Sequence, residues 1–124
     1  MQRVNQPTRA QLRALRPATG AAHLAITREI QRGESQLFTT FNRAMSVVVR
    51  PEGETLVIVA VAGRDLFNNR IDIINLARAN GFRRLRFHTR HPERLRKGLH
   101  GLNYQLIEMR PRLFSNEYVY GLEL

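Results

Sequence analysis

The chain has no cysteine, which excludes disulfides, thiolate chemistry and cysteine-ligated metals. Long apolar runs are missing too. The longest, residues 56–62, is far too short to cross a bilayer. The opening residues, Met1-Gln-Arg-Val-Asn-Gln-Pro, lack the apolar centre of a secretion signal, so a cytoplasmic protein without membrane contact is expected. Lysine is almost absent: of twenty basic residues nineteen are arginine, and Lys97 is the exception.

What is present is a chain of 124 residues, 43% of them hydrophobic, long enough for one core and too short for two. The formal net charge is +10. Guanidinium groups grip phosphate oxygens bidentately, so nucleic acid or another polyanion is an expected partner. Codon usage in a GC-rich genome would also favour arginine over lysine, and the two explanations are compatible.

Residues 1–20 read as a basic arm, with Arg3, Arg9, Arg13 and Arg16 and the breakers Pro7 and Pro17. Within it a short helix is expected from a Thr8 cap through Leu12 and Leu15 to a turn at Pro17. Residues 21–124 read as a single α/β domain. Ala22, Ile26 and Ile30 form an apolar stripe at helical spacing, with Gly33 where a helix stop belongs. The period then falls to two. Residues 36–41, 45–50 and 55–61 predict strands, the last two joined as a hairpin through Pro51-Glu-Gly-Glu54. The segment TLVIVAV (55–61) is apolar on both faces, which places it at the sheet centre with both sides covered.

A loop from Gly63 to Phe67 leads to a helix expected to be capped near Asn68 or Asn69, to turn Ile71, Ile74, Leu76 and Ala77 inward, and to end at Gly81. Leu85, Phe87 and Thr89 alternate with Arg84, Arg86 and His88 as in a strand. Pro92 opens a short helix carrying Leu95 and Leu99 and stopping at Gly101. Residues 104–109 and 118–124 predict two last strands around a 111–117 connection. The strand–helix–strand unit implies a parallel crossover inside a mixed, mostly antiparallel sheet with flanking helices.

Three stretches carry a resemblance over residues 33–124. They are TLVIVAVAGRDL, then IDIINLARANGFRRLRFHTR, then HPERLRKGLHGLNYQLIEM. Together they resemble the GNAT superfamily of acetyl-coenzyme-A-dependent N-acetyltransferases, and the run RFHTRHPERLRKGL is similar to small GNAT-like proteins of tailed phages. The resemblance implies acetyl-coenzyme A as cofactor. Its site would lie between diverging central strands near Val59–Gly63 and comprise Val61, Ala62, Gly63, Arg64, Asn68 and Asn69. The family's pyrophosphate mark is Q/R-x-x-G-x-G/A. Here Gly63 is followed by Arg64 with no second glycine, and Leu95 and Leu99 stand on the helix where many members place a tyrosine acid.

Two functions follow. In one the fold persists without chemistry, as a structural or nucleic-acid-associated component, with partners in a phage particle and a place in the virion or host cytoplasm. In the other the protein is an active N-acetyltransferase acting on an amine of a protein or small molecule. The missing glycine and tyrosine favour the first.

Other residues carry candidate chemistry. Between Arg83 and Lys97 seven basic residues face one acid, Glu93. Arg84, Arg86 and Arg90, with Arg94 beyond, form a candidate phosphate or nucleic-acid surface, against the plainer reading of a solvated strand face. His88 and His91 near Glu93 point different ways and have no third ligand, so no metal is expected. Glu54 and Glu108 are candidate general bases, with turn solvation and an ion pair as their plainer roles. Tyr104 belongs to a strand and not to the helix beside the site.

Overall fold

In the computed structural model, which describes residues 1–113 and 115–124, a seven-stranded sheet runs in the order β1-β2-β3-β4-β5-β7-β6. Its strands are β1 (Gln2–Val4), β2 (Gln36–Thr39), β3 (Met45–Glu52), β4 (Thr55–Gly63), β5 (Arg84–Thr89), β6 (Tyr104–Arg110) and β7 (Glu117–Glu123). The helices are α1 (Arg9–Arg13), α2 (Arg16–Thr19), α3 (His23–Arg32), α4 (Leu66–Ala79) and α5 (Pro92–Gly98). Part of the expected 111–117 connection, residue 114, lies outside the described residues.

The β3–β4 hairpin forms as expected, and β4 is the middle strand. Leu56, Val57 and Ile58 are buried, because α4 and α5 cover one face and α1–α3 the other. The β4–α4–β5 crossover is parallel, and every other strand pair is antiparallel. α3 follows the predicted stripe: Ile26 is buried, Ala22 and Ile30 pack beside it, and the helix stops at Gly33.

Residues 1–20 are not a free arm. β1 pairs with β2, and Leu12 and Leu15 are buried against Leu37, Val48 and Ala60. Two leucines in an arginine-rich stretch are a thin apolar signal, yet both fill the open face of β3 and β4. The Thr8 cap is present, reciprocated by Gln11. Pro17 does not end that helix but sits in the first turn of α2, where a proline is tolerated. Leu15 is fully buried (0% exposed). Leu15→Ala is therefore expected to lower unfolding stability by about 2–5 kcal/mol in urea titrations, whereas a free arm would show no change.

α4 differs from expectation at both its cap and its face. It begins at Leu66, capped by Asp65 in the left-handed conformation (φ 67°), so Asn68 and Asn69 lie inside its first turn. Its buried stripe is Asn69, Ile73, Ile74 and Ala77, so Ile74 and Ala77 face inward as expected and Leu76 packs beside the core. Ile71 faces outward, 51% exposed. α5 stops at Leu99, before Gly101.

One irregularity shapes everything that follows. Val48 pairs with Ala60 and Val49 with Ile58, leaving Val59 as an extra residue on β4. Such a bulge bends its strand and increases the local twist. Pairing between β4 and β5 ends at Ile58↔Phe87, although β4 continues to Gly63 and β5 to Thr89. Beyond that pair the two central strands separate.

Candidate active site

A cleft of about 520 Å³ opens where β4 and β5 part. Val61, Phe87, Leu66 and Leu95 make its walls apolar, and Ala14, Pro17 and Ala18 approach from α1 and α2. Arg90, Arg94 and Lys97 bring positive charge to one side, with His91 beside them. Arg94 and Lys97 are three residues apart, so they share a face of α5. Neither forms an ion pair among the described residues.

Of the residues expected at a cofactor site, Val61, Ala62 and Gly63 line this cleft and Arg64, Asn68 and Asn69 do not. Gly63 has φ 119°, and a Cβ there would lie 2.1 Å from the Ala44 carbonyl oxygen. It is needed for the close approach of β3 and β4. The Arg64 N–H is already used, donating to the Ala44 carbonyl at 3.0 Å. Asn68 donates from Nδ2 to Asp65 Oδ2 at 2.8 Å and from its backbone N–H to Oδ1 at 3.3 Å. Asn69, 4% exposed, donates to the Asp65 carbonyl at 2.8 Å. The start of α4 thus faces a carboxylate of its own chain. The sequence gives no sign of Asp65 as the cap, because its αL geometry leaves no periodic mark.

The arginine face of β5 forms but is neutralised. Arg84 pairs with Glu123, its register neighbour on β7, at 3.3 Å, and Arg86 pairs with Glu52 of β3. Arg90 lies past the strand end, and Arg94 belongs to the cleft instead. Carboxylates on the adjacent β7 and, one strand beyond β4, on β3 balance charges that look unopposed along β5 alone. Glu54 is an exposed turn residue paired with Arg83 at 3.6 Å. Glu108 is held by Arg110 at 2.8 Å, which keeps its carboxyl below the usual range. Neither lines the cleft, and Tyr104 packs edge-on against Tyr120 with centroids 5.7 Å apart.

Sequence reasoning missed the pair of greatest chemical interest. His88 Nδ1 lies 2.8 Å from Glu117 Oε1. Arg86 Nε donates to His88 Nε2 at 3.3 Å, which assigns the ring proton to Nδ1, donated to Glu117. Burial lowers the His88 pKa from its ordinary value, and Glu117 opposes this only in part. Burial would raise Glu117, but the hydrogen bonds from His88 and Arg112 outweigh it and the carboxyl titrates below its usual range. The result is a neutral imidazole, oriented by a carboxylate, with its basic nitrogen on Nε2. Local pattern carries no signal of the pair, which is made across the sheet: β7 returns antiparallel to β5, and Thr89↔Tyr118 puts Glu117 one residue beyond.

His88, Thr89, Arg90 and Ala18 also border a second cavity of about 260 Å³, which reaches α2 and α3. His88 therefore stands between two spaces, one mostly apolar with a basic rim, the other lined by polar and apolar groups alike. Among the described residues no three His, Asp or Glu side chains gather as a metal site, and no helix is long and apolar enough to cross a membrane.

No protein-family model and no curated protein matches this sequence. Solved structures do match. A Bacillus subtilis acetyltransferase in complex with CoA superposes with TM-score 0.72 at 11% identity, over 99% of this chain and 97% of that one. The fold is that of the GNAT acetyltransferases. A Desulfovibrio desulfuricans protein assigned to the GNAT family gives TM-score 0.65 at 16% identity, covering 98% and 96% of the two chains. The ribosomal-protein-S18-alanine N-acetyltransferase from Escherichia coli gives 0.65 at 10% identity, covering 94% and 90%. At such identities the likeness is one of GNAT fold, and function has to be argued from the site.

Proposed function

We propose that the protein binds acetyl-coenzyme A in the cleft between β4 and β5 and acetylates an amine. The observation that carries this reading is the parting of the two central strands after Ile58↔Phe87. From Val59 onward the β5-facing backbone groups of β4 have no strand partner, and a chain bearing amides can bond there as a strand would. The walls suit an aliphatic arm, and Arg94 and Lys97 would hold the phosphates as charge-assisted donors, with His91 beside them.

When bound, acetyl-coenzyme A supplies an activated acetyl group whose transfer to a neutral amine forms an N–C bond and breaks the C–S bond; the nitrogen gives up one proton, and coenzyme A leaves as a thiolate that takes up a proton to become the thiol. His88 takes the proton from the nitrogen at Nε2 once Arg86 Nε withdraws its hydrogen bond there, while Glu117 holds the ring and stabilises its charged form. Phe87 and Leu95 exclude water around the reacting atoms. Phosphate binding differs from the glycine-loop pattern, since α5 side chains rather than α4 amides supply the charge.

A second reading is favoured by Asp65, whose carboxylate sits at the α4 start where an anion would otherwise be welcome. In that reading the protein is a non-catalytic component, phage-borne or otherwise, that meets nucleic acid through its exposed arginines. Calorimetry separates the two. The wild type is expected to bind coenzyme A, and the Arg94→Gln/Lys97→Gln double variant to bind it roughly ten- to a hundredfold more weakly, the scale of one or two lost charge-assisted hydrogen bonds. No binding by the wild type overturns the transferase and leaves the second reading.

A further inference from the structure

The smaller cavity differs in chemistry from the cleft. Its volume, about 260 Å³, is below the roughly 300–1,000 Å³ of drug-sized ligand sites, so it suits a small molecule or a single residue. Ala18, Ala22 and Ala25 form a wall of short side chains beside Ile26. Glu29 and Arg50 in its lining satisfy each other at 2.7 Å. Glu117 is shared by His88 at 2.8 Å, Arg112 at 3.2 Å and Arg110 at 3.5 Å.

Arg90 is different. It borders both spaces and forms no ion pair among the described residues. Its guanidinium lies over Gly20, where a Cβ would come within 2.6 Å of Nη1. Any larger residue at position 20 would displace it. The cavity thus holds a carboxylate-backed base, an unpaired cation and a short apolar wall.

Resting on the transferase reading, we propose that this cavity takes the acceptor and that the acceptor is a small zwitterion, an amine carrying its own acid group and a short side chain, as in a free amino acid. Its acid meets Arg90, its amine lies beside His88 and Glu117, and its side chain faces the alanines. Arg50, Arg90 and Arg110 outnumber Glu29 and Glu117 in the lining, so a polycation or a basic peptide is repelled.

The test is a titration of the isotope-labelled protein followed by amide NMR, with no coenzyme present. The probes are alanine, alaninamide (no acid), propionate (no amine) and ethylenediamine. Alanine is expected to shift the amides of Thr19, Ala22, Thr89 and Arg90 and to bind about tenfold or more tightly than the other three. Arg90→Gln should erase the preference for alanine over alaninamide, and Arg90→Lys should restore part of it while both spectra stay folded. Equal binding of alaninamide or ethylenediamine, shifts elsewhere, or a preference that survives in Arg90→Gln overturns the proposal. Because coenzyme A is absent, failure here leaves the cleft reading intact. Failure of coenzyme A binding in calorimetry, conversely, would remove the chemistry and leave this small-molecule site standing.

Discussion

Ile58→Asp is expected to leave no folded protein at room temperature. Ile58 is 1% exposed on the central strand, and it belongs to the cluster that joins the sheet to α4 and α5. Its register partners are Val49 on β3 and Phe87 on β5, so no solvent route is open to a carboxylate there. An unpaired buried charge costs several kcal/mol even after its pKa shifts to neutralise it. A small domain has only about 5–15 kcal/mol in total. Circular dichroism should show loss of the cooperative melt, while Ile58→Val, a loss of one methyl, should cost about 0.5–1.5 kcal/mol and keep it. A soluble Ile58→Asp variant with a normal transition would show that the two covering layers are not as described.

His88→Gln is expected to reduce acetyl transfer by about 10²–10⁴, the usual contribution of a positioned general base, with coenzyme A affinity nearly unchanged. Glutamine keeps a donor toward Glu117 but cannot take a proton. The wild-type rate should rise with pH as His88 deprotonates, with its midpoint below the ordinary histidine value of 6.5 because burial depresses it. Removing the side chain removes that limb. A variant that keeps both rate and limb would exclude His88 as the base. Stability has the same direction. The His88 pKa is lower in the folded state, so the unfolded chain takes up the proton first on acidification. Its contribution is present above 6.5 and lost as pH falls from there through the lower folded value. Glu117, depressed from 4.5, adds a second loss further into acid.

Much of this framework could be read directly. The TLVIVAV strand, its hairpin and the crossover to β5 declare themselves through period, turn residues and a helix between two strands. The cleft was legible in part, since Val61, Ala62 and Gly63 do line it. Local pattern says nothing about pairing partners, and the errors cluster there. The β5 arginines looked unopposed because Glu52 and Glu123 are distant in sequence and adjacent only across the sheet. Glu117 escaped notice for the same reason. Asp65 is a different case, since a non-glycine residue in left-handed geometry is uncommon and leaves no periodic trace. Leu12 and Leu15 read as part of an arm because charge outweighs them locally, although the sheet has a face that they cover together with α3.

The bulge at Val59 also has a meaning for assembly. β1 to β4 are joined in sequence order by antiparallel pairing, and β5, β7 and β6 form a second antiparallel group. Within the sheet only four residue pairs, Thr55↔Arg84 to Ile58↔Phe87, stitch one group to the other. The first group is complete before β5 leaves the ribosome, and a parallel pairing across a helix is slow to close. The cleft therefore does not exist in either half and arises only when the seam zips. A molecule that fills it touches both sides, binds only the joined state, and so adds its binding free energy to the seam between the two groups.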